Sequence, residues 1–165
     1  MTSRSHPEPE AKRVSGCSPH ARLRTLCLYL AVIAAGNLAW ESLHLPLYTL
    51  WRTGTRGDQA FAVIHCTGGD LLIALASLIL ALITAGDRRW PGNGYWRVAM
   101  SAIVLGLAYT IFSEWLNVAA RGTWTYSERM PVLPLFSFNL GLSPLLQWII
   151  VPVLGFCIAR SMTER

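Results

Sequence analysis

Four long apolar stretches divide the chain, and none of them has the polar face of a soluble helix. The run from Leu71 to Ile83, for example, shows no polar stripe at the 3.6-residue helical period. A soluble helical bundle, the alternative, does not account for such helices. A helix needs about 20 residues to cross a hydrocarbon core of about 30 Å. The pattern predicts an all-α integral membrane four-helix bundle over residues 25–160, with helices at residues 25–45, 60–85, 98–120 and 142–159.

The segments outside these helices are polar, with one exception. Residues 1–24 show no apolar periodicity, which predicts a disordered cytoplasmic tail, and residues 161–165 form a second tail. A cleaved signal peptide is the competing interpretation, but the apolar stretch continues past its small residues, which favours an uncleaved helix. The exception is residues 121–141, which are too apolar for a free loop and too broken by Pro131 and Pro134 for a fifth span. This composition predicts a re-entrant or interfacial segment between helices 3 and 4.

Basic residues are distributed unevenly between the two sides of the predicted bundle. Four of the 14 follow helices 1 and 3, namely Arg52, Arg56, Arg121 and Arg129, and the other ten lie on the opposite side. The positive-inside rule therefore places both termini in the cytoplasm. The net charge of +5 is thus a topology signal, and we expect the lipid bilayer as a partner and no nucleic acid. Because Lys12 is the only lysine, the composition is typical of a bacterial protein, which predicts a multi-pass protein of the cell (inner) membrane.

Three of the apolar stretches each contain one carboxylate: Glu41, Asp70 and Glu114. A carboxylate at bilayer depth is costly unless it is paired, protonated or facing a wet cavity, so such residues mark functional sites. The predicted topology places all three in the outer half of the bilayer, in one layer with His44 and His65. We predict that these five residues are catalytic. Glu41 and Asp70 would form an acid–base pair, Glu114 would be an ionised stabiliser, and His44 or His65 would relay protons.

Other polar and aromatic residues at the same depth are predicted to bind a ligand: Asn37, Asn117, Arg121, Gln147, Trp115 and Trp148. Asn37 precedes Glu41 at the i, i+4 spacing and therefore shares its helix face. Asn117 and Arg121 follow Glu114 at i+3 and i+7, again on one face. A structural alternative places the histidines and tryptophans at the headgroup interface and pairs Glu114 with Arg121. The same alternative makes Asn117 and Gln147 hydrogen-bond partners between helices.

The sequence assigns no metal and no cofactor. Glu41 and His44 form one Glu-x-x-His motif, whereas carboxylate-bridged di-metal bundles use this motif twice together with two further glutamates. A mononuclear site made by His44, His65 and a carboxylate stays open as an alternative. The cysteines show no paired spacing and predict neither a disulfide nor a zinc–thiolate site.

Several motifs spread over most of residues 35–155 carry a resemblance. They are Trp40-Glu41, His65-x-x-x-Gly69-Asp70, Glu114-Trp115, Trp124-x-Tyr126, Met130-Pro131 and Gly141-Leu142-x-Pro144-x-x-Gln147-Trp148-x-x-x-Pro152. Together they resemble a group of uncharacterised small four-helix bacterial integral membrane proteins, which implies a fold and no activity. A weaker resemblance, to the emopamil-binding (sterol isomerase) type of bundle, implies a membrane pocket with carboxylates, a histidine and tryptophan, and serves only as an analogy.

Three functions fit these features. The leading hypothesis is a site that binds a lipidic or isoprenoid-like small molecule, or converts it by acid–base chemistry. Metal- or proton-coupled transport is the second, but the inner halves of the helices are apolar, so a homo-oligomer would have to complete the pathway. The third is a non-catalytic assembly subunit with a membrane partner protein. The sequence does not decide whether the protein is an enzyme.

Overall fold

Helices dominate the structure, a computed structural model that describes residues 18–135 and 137–163. The α-helices of this part of the chain are α1 Pro19–His44, α2 Leu50–Thr53, α3 Arg56–Ala85, α4 Tyr95–Glu114 and α5 Leu142–Thr163. All but α2 belong to segments that are long and apolar enough to cross a membrane. The prediction of an all-α chain with four membrane-length helices is therefore confirmed. This arrangement fits a multi-pass membrane protein.

The first and the last long helix both extend beyond the ends predicted for them. The sequence predicts a tail up to residue 24, but α1 begins at Pro19. Ser18 caps this helix by accepting a hydrogen bond from the backbone N–H of His20, and Pro19 occupies the first turn, where its missing N–H costs nothing. Helix α5 continues past the predicted end at 159 to Thr163. The rest of the predicted tails, residues 1–17, 164 and 165, lies outside the described residues.

The long helices pack as neighbouring pairs around one core. Helix α1 lies along α5 and α3, and α4 lies along α3 and α5. A small residue allows the close approach of α1 and α5, since a Cβ at Gly36 would lie 2.7 Å from Val151 Cγ1. Tyr29 and Phe156 stack across the same interface with ring centroids 4.2 Å apart.

The segment between α4 and α5 contains a hairpin that the sequence did not predict. Strand β1, Val132–Leu135, pairs antiparallel with β2, Phe138–Gly141. Backbone hydrogen bonds join the segment to the 3-10 turn Leu45–Leu47 that follows α1, because Ser127 N donates to Leu47 O at 2.8 Å. An isolated bridge between Tyr48 and Tyr126 adds a second tie. We call this end of the bundle, which carries β1 and β2, the hairpin end.

The predicted third helix changes its geometry near its end. It is α-helical up to Glu114 and continues as a π-helix over Trp115–Ala120. The last of these wider turns is closed by a hydrogen bond from Arg121 N to Leu116 O, which spans i to i+5, at 2.8 Å. This turn alters which residues share a face with Glu114.

Candidate functional site

A cavity of about 410 Å³ lies between the four long helices at the hairpin end. Its wall carries three carboxylates, Glu41 from α1, Asp70 from α3 and Glu114 from α4. Apolar and aromatic side chains form much of the remaining wall, including Val63, Ile73, Tyr48, Tyr109, Trp124 and Trp148. Small-molecule sites have volumes of roughly 300–1,000 Å³ and combine apolar walls with a few polar groups, so this cavity has the usual form of a ligand site.

Hydrogen bonds fix the imidazole of His44, which is 7% exposed. Its Nε2 lies 3.0 Å from Glu41 Oε2, and its Nδ1 lies 2.9 Å from Ser143 Oγ. Trp40 Nε1 donates to the same Ser143 hydroxyl oxygen at 3.1 Å. That hydroxyl therefore accepts from Trp40 and has its own hydrogen available for Nδ1. Of the two neutral tautomers of His44, the one with its proton on Nε2 fits both partners, because Nε2 then donates to Glu41 and Nδ1 accepts from Ser143.

Gln147 joins three helices through one amide nitrogen. Its Nε2 lies 2.9 Å from Asp70 Oδ2, 3.0 Å from Glu41 Oε1 and 3.2 Å from Asn37 Oδ1. The side chain of Gln147 is 2% exposed and that of Asn37 is 3% exposed. An amide nitrogen carries two hydrogens, so three acceptors compete for two donors. The amide of α5 thereby holds the carboxylates of α1 and α3 together.

Asp70 also accepts a hydrogen bond from Trp148, whose indole Nε1 lies 3.2 Å from Asp70 Oδ1. A glycine on α4 makes room for this indole, because a Cβ at Gly106 would collide with the Trp148 ring. Trp148 is 4% exposed and lines the cavity. Its position is therefore set by close packing on one side and by Asp70 on the other.

Glu114 takes its hydrogen bond from the hairpin segment. The hydroxyl of Tyr126 donates to Glu114 Oε2 and accepts from the backbone N–H of Gly141 at 3.0 Å. Burial, followed by the neighbouring Glu114 carboxylate, raises the pKa of Tyr126 above its usual range, so the hydroxyl keeps its proton and remains a donor. The sequence analysis did not assign Tyr126 to the site. Its position in the Trp124-x-Tyr126 motif was the available signal.

Ser143 is another polar residue of the hydrogen-bond network that the sequence analysis did not assign to the site. It precedes Gln147 at the i, i+4 spacing, so both lie on the same face of α5. A serine in a membrane helix carries a small free-energy cost, because its hydroxyl can hydrogen-bond to a carbonyl of its own helix. A search for polar groups that are costly in the membrane therefore does not find it. Asn117, which the sequence assigned to ligand binding, lines the cavity and donates to Ser113 O at 2.9 Å.

Besides Asn117, whose side chain bonds only to Ser113 among the described residues, the predicted residues His65, Trp115 and Arg121 lie apart from the hydrogen-bond network. His65 is exposed and stacks on Phe61 with ring centroids 5.4 Å apart. It lines the cavity but takes no part in the hydrogen bonds described above. Residues 65 and 70 are five apart, about 140° around an α-helix, so His65 does not share the face of Asp70. Trp115 is 42% exposed and lies 5.9 Å from Phe112, centroid to centroid, on the outer surface.

Arg121 is exposed and does not pair with Glu114 in the described part of the chain. The i, i+7 relation that suggested this pair holds for an α-helix. The π-helical turn between the two residues changes the angle between them. In place of an arginine, Glu114 has Tyr126 as its partner.

The arrangement does not resemble a metal site. No three His, Cys, Asp or Glu side chains within residues 18–135 and 137–163 converge as a set that could hold a metal ion. The mononuclear alternative from His44, His65 and a carboxylate therefore gains no support from the geometry. What the network supplies is one hydrogen-bonded imidazole and three carboxylates that face a partly apolar cavity.

No protein-family model, curated protein or solved structure matches this chain. The resemblance to small four-helix membrane proteins therefore rests on the motifs and on the four membrane-length helices. Any function assigned to this chain therefore depends on the geometry of the cavity.

Proposed function

We propose that this protein binds a lipidic or isoprenoid-like small molecule in the cavity at the hairpin end and acts on its polar end by acid–base chemistry. The observation that carries the proposal is a cavity of about 410 Å³ whose wall combines apolar side chains with the carboxylates of Glu41, Asp70 and Glu114. The apolar wall suits a hydrocarbon chain, and the carboxylates suit a polar head.

The proposed roles follow from the hydrogen bonds. Glu41 and Asp70 share the amide of Gln147, and two carboxylates held so close repel each other when both are ionised. Such a pair is suited to exchanging a single proton with a ligand, one group acting as acid and the other as base. His44 would relay the proton from Glu41. Glu114, held by Tyr126, would stabilise positive charge that develops on the ligand.

In the membrane, we place the hairpin end in the outer half of the bilayer and both termini in the cytoplasm. The uneven distribution of the basic residues supports this orientation. The hairpin segment would then cover the outer end of the cavity as an interfacial segment. A lipidic ligand would enter from the outer leaflet.

Lipid analysis of a strain that lacks the gene tests the conversion. We expect its lipid and pigment profile to contain an accumulated precursor, and we expect the wild-type gene to restore the profile. The Asp70→Asn gene, which keeps an acceptor for Trp148 but cannot exchange the proton, should fail to restore it. Gly68→Leu is the matched control on the same helix. An unchanged profile in the deletion strain would contradict the proposed conversion.

A structural role is the second candidate, and one observation favours it. The amide of Gln147 joins α1, α3 and α5, as expected of polar groups that hold membrane helices together. As an assembly subunit, the protein would use this layer for its own stability or for a partner protein. Asp70→Ala then lowers the unfolding temperature or dissociates the complex without changing the amount of bound small molecule. Loss of that molecule from a folded Asp70→Ala protein would favour the ligand site.

A further inference from the structure

Three of the described residues that line the cavity are exposed, and two of them lie on neighbouring helices. They are His65 on α3, Tyr109 on α4 and Thr123 in the segment between α4 and α5. Tyr109 is 50% exposed. The described lining residues on α1 and α5 are all buried or half-buried. The cavity therefore reaches the surface of the bundle between α3 and α4.

Gly69 indicates that α3 and α4 stand apart at this level. It lines the cavity, and a Cβ there would meet no atom within 4 Å. Because a short segment joins the two helices, they run in opposite directions, and Gly69 and Tyr109 lie about 24 and 21 Å along them from that segment. Ala81 and Ala99 lie only about 6 Å from it, and both are 0% exposed. The helices are thus packed at their joined ends and leave a gap toward the hairpin end, which we call the α3–α4 gap.

Aromatic side chains flank the α3–α4 gap on its outer side. Phe61 stacks on His65 with ring centroids 5.4 Å apart, and Phe112 lies 6.3 Å from Tyr109, centroid to centroid. Phe61 and Phe112 are themselves exposed. All four residues belong to helices that are long and apolar enough to cross a membrane. In a bilayer, this surface meets hydrocarbon chains.

The other approaches to the cavity suit a hydrocarbon chain less well. On the side of α1, Leu45 and Val63 line both the cavity and a separate surface depression, so they form the wall between the two. That depression also contains the polar side chains of Arg56 and Gln59. Thr123 lies at the hairpin end, in a segment whose neighbouring residues are exposed and polar.

We propose that the α3–α4 gap holds the hydrocarbon chain of the cavity ligand, which enters sideways from the lipid. The polar head lies among the carboxylates of Glu41, Asp70 and Glu114, and the chain leaves the cavity between His65 and Tyr109 and stays in contact with the bilayer. This inference rests on the proposed function, since it describes how the same cavity takes its ligand.

The binding mode defines a class of ligand. A chain that leaves through the α3–α4 gap does not have to fit within the cavity volume of about 410 Å³. Chain length is then limited by the bilayer and not by the protein. The site therefore takes membrane-resident amphiphiles with long acyl or isoprenoid chains, and it does not require a soluble carrier to deliver them.

Photo-crosslinking with chain-labelled probes tests the inference. The full-length protein in phosphatidylcholine nanodiscs is incubated with hexadecanol or with hexadecylammonium, so that the result does not depend on the charge of the head. Each probe carries a diazirine either beside the head or at the end of the chain. Light releases nitrogen from the diazirine, and the carbene that remains inserts into a neighbouring bond of the protein. Peptide mass spectrometry locates the adducts.

Two neighbouring glycines separate cavity binding from labelling by probe dissolved in the lipid. A Cβ at Gly68 or at Gly69 would meet open space, but only Gly69 lines the cavity. Specific adducts are those that are lost in Gly69→Leu, kept in Gly68→Leu and suppressed by excess unlabelled probe. If Gly69→Leu does not fold, suppression by the unlabelled probe alone defines them, because dissolution in the lipid does not saturate.

We expect the specific adducts of the chain-end probes to lie at His65, Tyr109 and their neighbours Phe61 and Phe112. They should exceed specific adducts at any other lipid-facing site by at least about tenfold. The head-side probes should label the cavity wall, for example Cys66.

The possible failures are distinguishable. Specific chain-end adducts at residues 42–47 or 121–126, or inside the cavity alone, overturn the α3–α4 gap and leave the proposed cavity ligand in place. The absence of specific adducts with all of the probes contradicts both the gap and the proposed function.

Discussion

Trp148 owes its position to the absence of a side chain on the facing helix. A Cβ at Gly106 would collide with the indole ring, which itself donates to Asp70. Buried groups at such a contact cannot move apart without cost, because membrane-protein and soluble interiors are both closely packed. A methyl group added at Gly106 on α4 would therefore displace Trp148 and disturb its hydrogen bond to Asp70 on α3.

Gly106→Ala should lower the free energy of unfolding by about 1–3 kcal/mol, the usual cost of overpacking. Thermal unfolding in detergent measures the change. Gly68→Ala is the control on an open face, where replacing a helical glycine should leave the protein as stable as wild type or more stable by up to about 1 kcal/mol. Equal stability of the two variants would show that Trp148 does not pack against Gly106 as described.

Ser143 should determine the tautomer of His44. In Ser143→Ala, Nδ1 loses the hydroxyl that bonds to it, and a buried acceptor without a partner costs about 1–3 kcal/mol. Nitrogen-15 NMR of the histidine side chains should show His44 protonated at Nε2 in the wild type and a mixture of forms in the variant. Identical imidazole spectra in the two proteins would rule out the proposed direction of this hydrogen bond.

At the scale of elements, Tyr126 connects the hairpin segment to α4. Its hydroxyl contacts both the Glu114 carboxylate and the backbone N–H of Gly141, the last residue of β2. Tyr126→Phe removes both bonds and should increase amide hydrogen exchange over residues 121–141, because local opening becomes less costly. Tyr109→Phe, at a tyrosine that also lines the cavity, is the control. Equal exchange in the two variants would mean that Tyr126 does not hold the segment.

The helices could be predicted from the sequence because apolar side chains along a whole helix are a strong local signal. The hairpin and the π-helical turn could not. The bridge between Tyr48 and Tyr126 joins residues that are far apart in the sequence. Strands β1 and β2 are neighbours in the sequence, but Pro134 lies within β1, and a proline argues against a strand. The start of α1 at Pro19 was available in principle from Ser18, a standard capping residue.

The same distinction applies to the candidate site. A carboxylate such as Asp70 is costly in an apolar helix, so the sequence alone marks it as a site residue. Helical spacing placed Asn37 beside Glu41, and the structure has both at the amide of Gln147. The same reasoning paired Glu114 with Arg121, which the π-helical turn prevents. The partner that the structure supplies, Tyr126, lies outside the helices and carries no such local signal.

At the scale of the whole molecule, the proposed orientation follows from the basic residues. If ten of the 14 basic residues face the cytoplasm, both termini lie there and the cavity opens toward the outer leaflet. Fusions of an activity reporter that functions only in the cytoplasm should be active at either terminus. The same reporter inserted between Gly54 and Arg56 should be inactive. An active insertion together with inactive terminal fusions would reverse the orientation.

The central claim is that the cavity at the hairpin end holds a lipidic molecule, and the lipid that co-purifies with the protein tests it most directly. Wild type, Gly69→Leu and Gly68→Leu are purified in parallel from native membranes, and their bound lipids are extracted and quantified by mass spectrometry. We predict one lipid species retained at about one molecule per protein in wild type and Gly68→Leu and lost from Gly69→Leu, since only Gly69 lines the cavity. The same lipids in equal amounts in all three proteins would contradict the account.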